Sequence, residues 1–120
     1  MDSKEFTEII AEYILSKKGF DIKILDLKNL TTISDYFIIC SADSDTQVKA
    51  IADEVDKNLR DRGIKYTNRE GYDTLNWVLL DYFDVIVHIF KKDAREYYNL
   101  EKFWRDAPSI EVTDTPPAKK

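Results

Sequence analysis

The chain has 120 residues, of which 43% are hydrophobic and 34% charged, with a formal net charge of −5 and a pI near 4.9. That length suits one globular domain whose core needs neither disulfide nor metal, and the single cysteine, Cys40, permits no intrachain bridge. An acidic balance disfavours a direct grip on a nucleic-acid backbone and favours a basic protein partner. No apolar run reaches a membrane span and no signal-like segment follows the charged start, so a cytoplasmic location is expected.

Phe6, Ile9, Ile10, Tyr13 and Ile14 recur at helical spacing and predict a first helix over residues 4–18. Asp2 or Ser3 can cap its start, and Lys17, Lys18 and Gly19 supply its stop. Residues 21–27 read as a strand with Ile22 and Ile24 on one face, and residues 28–34 as a polar connection. Residues 36–40 form a dense apolar run, which suits a central strand buried on both faces, with Cys40 as a small buried hydrophobe.

Ser44 and Gln47 have capping-box spacing at the start of a second helix, with the Ser44 hydroxyl expected to accept from the Gln47 amide and the Gln47 side chain to reach back. Val48, Ile51, Ala52, Val55 and Leu59 form its inner stripe, and Gly63 ends it. Three strands are predicted next, over residues 65–70 (polar, near an edge), 75–80 and 85–90. Gly71-Tyr72-Asp73 makes the first turn and Asp81-Tyr82-Phe83-Asp84 a tight reversal into an antiparallel hairpin. A short helix or two fills residues 94–104. Residues 107–120 hold all three prolines and read as a disordered tail after a folded domain of residues 1–106.

The predicted order is one α+β domain, a mixed sheet of about five strands with helices mainly on one face. Two long helices cover one face of such a sheet. Yet the hairpin strands are apolar on both faces, Trp77 and Leu79 alternating with Val78 and Leu80. The second face therefore needs a cover, either the C-terminal helices or another protein.

The chemistry-bearing groups are sparse. Asp43, Ser44, Asp45 and Glu54 echo a calcium loop, but Val48 stands where that loop needs glycine, and acidic residues in the first turn of a capped helix account for them. Asp26, Asp35, Asp81 and Asp84 flank strands without the alternating pair that two-metal nucleotidyl transfer requires. With Gly19, Gly63 and Gly71 as the only glycines, no phosphate-cradling loop exists. His88, the lone histidine, has no serine or cysteine partner in sequence and reads as a hydrogen-bonded structural or interface residue. Arg95, Tyr98 and Glu101 at helical spacing read as a local surface network. Trp77 reads equally well as core or as an interface anchor.

Ser34-Asp35-Tyr36-Phe37-Ile38-Ile39 and Gln47-Val48-Lys49-Ala50-Ile51-Ala52 resemble the first half of the ribosomal silencing factor (RsfS, Iojap) family. Its second half resembles Glu70-Gly71, Trp77-Val78-Leu79-Leu80-Asp81, Asp84 through Phe90, and the Arg95, Tyr98, Leu100, Glu101, Trp104, Asp106, Ala107 pattern. The resemblance spans residues 1–108. It implies a nucleotidyltransferase-like fold without the transferase's catalytic residues, no cofactor, and no enzymatic activity. It also implies binding to large-subunit ribosomal protein fourteen, a steric block of small-subunit joining, and repression of translation under nutrient limitation. A role in large-subunit biogenesis through the same surface is the alternative, with an active nucleotidyltransferase as a third. Homodimers are also implied. The contact surface is expected around Trp77, Leu79 and His88, with Glu70, Asp81 and Tyr98 at the rim. One departure concerns the hairpin reversal, where many relatives carry a glycine and this chain has Tyr82-Phe83.

Overall fold

The computed structural model of the protein describes residues 2–112. The first helix, α1 (Ser3–Ser16), starts at Asp2, whose carboxylate accepts from the Glu5 amide while the Glu5 side chain accepts from the Asp2 amide. Such reciprocal capping satisfies two donors that a helix start otherwise leaves free. At the other end Lys18, not Gly19, takes the left-handed conformation, with φ 68°. Gly19 is required for space, because a Cβ there would collide with the Ile14 side chain.

The strands are β1 (Phe20–Asp26), β2 (Tyr36–Ala42), β3 (Asn68–Glu70), β4 (Trp77–Asp81), β5 (Val85–Lys91) and β6 (Ser109–Val112). They form one sheet in the order β3-β4-β5-β2-β1-β6. β2 and β5 run parallel at its centre, and every other neighbour is antiparallel. All seven residues of β2 are buried, as are the first six of β5, which accounts for their unbroken apolar sequences. The strand expected over residues 75–80 begins two residues late because Leu75 adopts φ 61°, a turn conformation incompatible with a strand.

The second long helix, α2 (Asp45–Asp61), lies with α1 on one face of the sheet. Val48, Ile51, Ala52, Val55 and Leu59 are fully buried there against Ile38, Cys40, Val78, Leu80, Val87 and Ile89. The Ser44 hydroxyl accepts from the Gln47 amide at 3.2 Å, as the spacing predicts. The reciprocal half differs: the Gln47 carbonyl oxygen accepts from Asp43, and its amide nitrogen donates to the Lys17 and Lys18 carbonyls. One side chain thus ties the start of α2 to the end of α1, taking up carbonyls that α1 cannot satisfy itself.

Two short helices, α3 (Lys92–Tyr98) and α4 (Leu100–Phe103), follow β5 and are separated by Asn99 in the left-handed conformation. They cross to the opposite face. There Ala94, Leu100, Trp104 and Ala107 pack on Leu25, Leu27, Phe37, Ile39, Ile86 and Phe90. Of the expected tail, Ala107 is buried and Ser109–Val112 pairs with β1, making six strands where about five were expected. Ile110 stands opposite Ile24, a pairing that a proline-flanked stretch of four residues does not advertise in sequence. Residues 113–120 lie outside the described residues.

Candidate functional site

The second face is where the expected contact residues meet. Strand register aligns Glu70 with Leu79, Leu79 with His88, and His88 with Ile39, so these four form one row across the sheet. Trp77 stands opposite Phe90, and Asp81 opposite Ile86 and Asn68. Residues two apart on a strand share a face. Trp77, Leu79 and Asp81 therefore line the same side as Glu70 and His88, while Val78 and Leu80 turn to the helices. Tyr98 reaches this side from α3, its ring 5.1 Å from that of Trp77. All six predicted residues are thus brought together.

Trp77 is half-buried and held on three sides. It stacks on Phe90 with ring centroids 4.7 Å apart, touches Tyr98, and its indole Nε1 donates to His88 Nδ1 at 3.1 Å. Local sequence sets this up. Gly71 adopts φ 93°, and a Cβ there would collide with the Trp77 carbonyl, so only glycine lets the β3–β4 turn pack so closely. The Lys91 amide donates to the Asn76 carbonyl, which fixes the start of β4 against the end of β5.

His88 corrects the expectation of an exposed contact. It is 3% exposed and forms the floor beneath Trp77, with the Phe37 ring 4.5 Å away. Aromatic and aliphatic neighbours on both sides of it exclude water. Burial accordingly pushes its pKa down to about 3, so the ring is neutral near pH 7. An indole only donates, so Nδ1 must be the bare acceptor and the proton must sit on Nε2. That Nε2 has no hydrogen-bond partner among the described residues.

The rim is polar and acidic. Glu70 and Asn68 on β3 are exposed, and Asp81 closes the far end of β4. Across the sheet from them, over β1 and β2, the cover of this face is anchored by Arg95. Its guanidinium donates through Nε and Nη2 to the two oxygens of Glu101, and through Nη1 to Ser41 Oγ and the Asp21 carbonyl. Lys23 joins at 3.3 Å from Glu101. The Arg95 hydrogen bonds hold the Glu101 carboxyl below the usual carboxylate range. The Arg95 and Glu101 pair, expected as a surface network, is instead the clasp between the α3–α4 segment and the sheet.

Sequence reading missed Phe37, Phe90 and Trp104 as partners of this face. The Phe37 and Trp104 rings meet edge-on at 5.7 Å. Period-two alternation with His88 identifies Phe90 once the direction of the face is known. Trp104 carries no such signal, since it lies just past a helix of only four residues. Among the described residues no cluster of three or more His, Cys, Asp or Glu is placed to hold a metal, and no helix is long and apolar enough to cross a membrane.

The sequence model of one family, described as "Ribosomal silencing factor during starvation", matches residues 1–120. The chain belongs to the ribosomal silencing factor family. A Bacillus subtilis protein named "Ribosomal silencing factor RsfS" is 45% identical over 112 residues, covering 93% of this chain and 95% of that protein. A crystal structure of a Chromobacterium violaceum protein superposes with a TM-score of 0.85 at 35% identity and covers 98% of both chains. A more distant Mus musculus relative, named "Mitochondrial assembly of ribosomal large subunit protein 1", is 26% identical over 100 residues, and the match spans 44% of its length.

Proposed function

We propose that the chain is a cytoplasmic, non-catalytic regulator that docks on the large ribosomal subunit and represses translation under nutrient limitation. The contact is the edge of the second sheet face, seated on protein fourteen of the large subunit, and the bound factor sterically blocks small-subunit joining. The observation that carries this reading is Trp77, a large ring left half-exposed yet fixed by His88, Phe90 and Tyr98. An aromatic held in one orientation loses little entropy on binding and makes a good anchor. Glu70 and Asp81 at the rim suit a basic ribosomal protein, favouring fast and specific encounter more than raw affinity. His88 contributes by positioning the indole, not by touching the partner.

Isolated large subunits should carry the protein down in sedimentation, and its addition should reduce joining with small subunits. Failure of joining to respond, with binding intact, would contradict the steric block. The name of the mouse relative favours a second reading, assembly of the large subunit through the same surface. Tighter binding to precursor than to mature large subunits would favour assembly over silencing. A homodimer seated on the same apolar face would compete with the subunit, and concentration-dependent sedimentation of the free protein tests for it.

A further inference from the structure

The hairpin reversal between β4 and β5 carries a strained, exposed aromatic with no role in the fold. Phe83 adopts φ 75°, and the Asp84 amide donates to the Tyr82 carbonyl at 3.0 Å across it. A hydrogen bond spanning three residues with the central one at positive φ is the strained form of the γ-turn, unfavourable for a bulky side chain. The turn is nonetheless firmly pinned. The Asp84 carbonyl accepts from the Asp35 and Tyr36 amides and the Ser34 hydroxyl, and Asp81 Oδ1 accepts from the Phe83 amide at 2.8 Å. The ring itself is 73% exposed and belongs to neither hydrophobic cluster. Its chain neighbours on the reversal include two carboxylates, Asp81 and Asp84.

We infer that Phe83, flanked by Asp81 and Asp84, is a receptor for a lysine or arginine side chain of the docking partner. A cation is attracted to the face of an aromatic ring, and adjacent carboxylates add to that attraction. The position extends the proposed docking face. Asp81 is already at its rim, and four residues of β4 place it about 14 Å from Trp77 at roughly 3.4 Å per residue. Both ends therefore fit within one interface of ordinary size. The inference rests on the docking reading and adds a second, charge-reading contact at the far end of the same strand.

Three variants, Phe83→Gly, Phe83→Leu and Trp77→Ala, are compared with the wild-type chain for binding to isolated large ribosomal subunits and for thermal unfolding. Phe83→Gly should raise the unfolding temperature by about 3–6 °C through relief of the positive φ, while weakening subunit binding about 3- to 10-fold. Phe83→Leu keeps the bulk and the strain but loses the aromatic face, so binding should weaken comparably with no thermal gain. Full binding by Phe83→Gly or by Phe83→Leu, alongside a clear loss in Trp77→Ala, would overturn this inference and leave the docking reading standing. Absence of binding by the wild-type chain would overturn both.

Discussion

Both faces of this sheet carry an apolar centre, but they are covered in different ways. On one, α1 and α2 lay continuous stripes over the central strands, and the residues beneath are excluded from solvent. On the other, two short helices reach only part of the way, held by the Arg95 clasp and by Trp104 on Phe37. The cover gives out at β4, where Trp77 and Leu79 remain half-exposed. Long amphipathic helices seal a face for stability, whereas the incomplete cover leaves a rigid apolar edge free for a partner.

The difference between the faces can be broken by mutation. Ile51→Ala, on the sealed side, should cost about 3–4 kcal/mol in a urea titration, because it removes fully buried methyl groups and leaves a cavity. Leu79→Ala, on the partly open side, should cost only about 1 kcal/mol. Equal losses would mean that the two faces are packed alike.

A smaller effect comes from His88. Its pKa is depressed in the folded chain, so the unfolded chain binds a proton that the folded one refuses. Stability should therefore be fully present above the ordinary histidine range and fall as pH drops toward the folded value. The loss amounts to about 2 kcal/mol between pH 7 and pH 5. His88 is the only histidine, so His88→Gln should largely flatten the profile in that window, where carboxylates contribute little. A slope that survives the substitution would show that His88 is not the buried neutral group beneath Trp77.

Smaller again, Arg95→Ala should cost about 1–2 kcal/mol, since it leaves Glu101 with Lys23 alone and frees the clasp. Hydrogen exchange should accelerate across residues 92–107 and leave α1 and α2 unchanged. Uniform acceleration over the whole chain would argue against a separable cover.

The sealed face was legible in sequence because helical periodicity over 14 and 17 residues repeats the same stripe several times. The unbroken apolar run of β2 likewise announces a central strand, whereas that of β5 announces a strand but not its central place. The second face was legible only in outline. Apolar residues on both sides of residues 77–80 signalled an extra cover, but neither its source nor its extent. Those depend on α3 and α4, seven and four residues long and too short for an apolar stripe to repeat. His88 was misplaced because strand alternation gives the side of the sheet a residue faces, not how deeply its neighbours bury it. The Tyr82-Phe83 reversal stands out in sequence only through the resemblance, and its strained turn needs the backbone to become visible.

The most direct test of the account is the affinity of Trp77→Ala for isolated large ribosomal subunits, measured alongside its thermal unfolding. A fixed anchor predicts a loss of about 30-fold or more in affinity, with the chain still folded cooperatively. Binding as tight as that of the wild-type chain, in a variant that still folds, would contradict docking through this face.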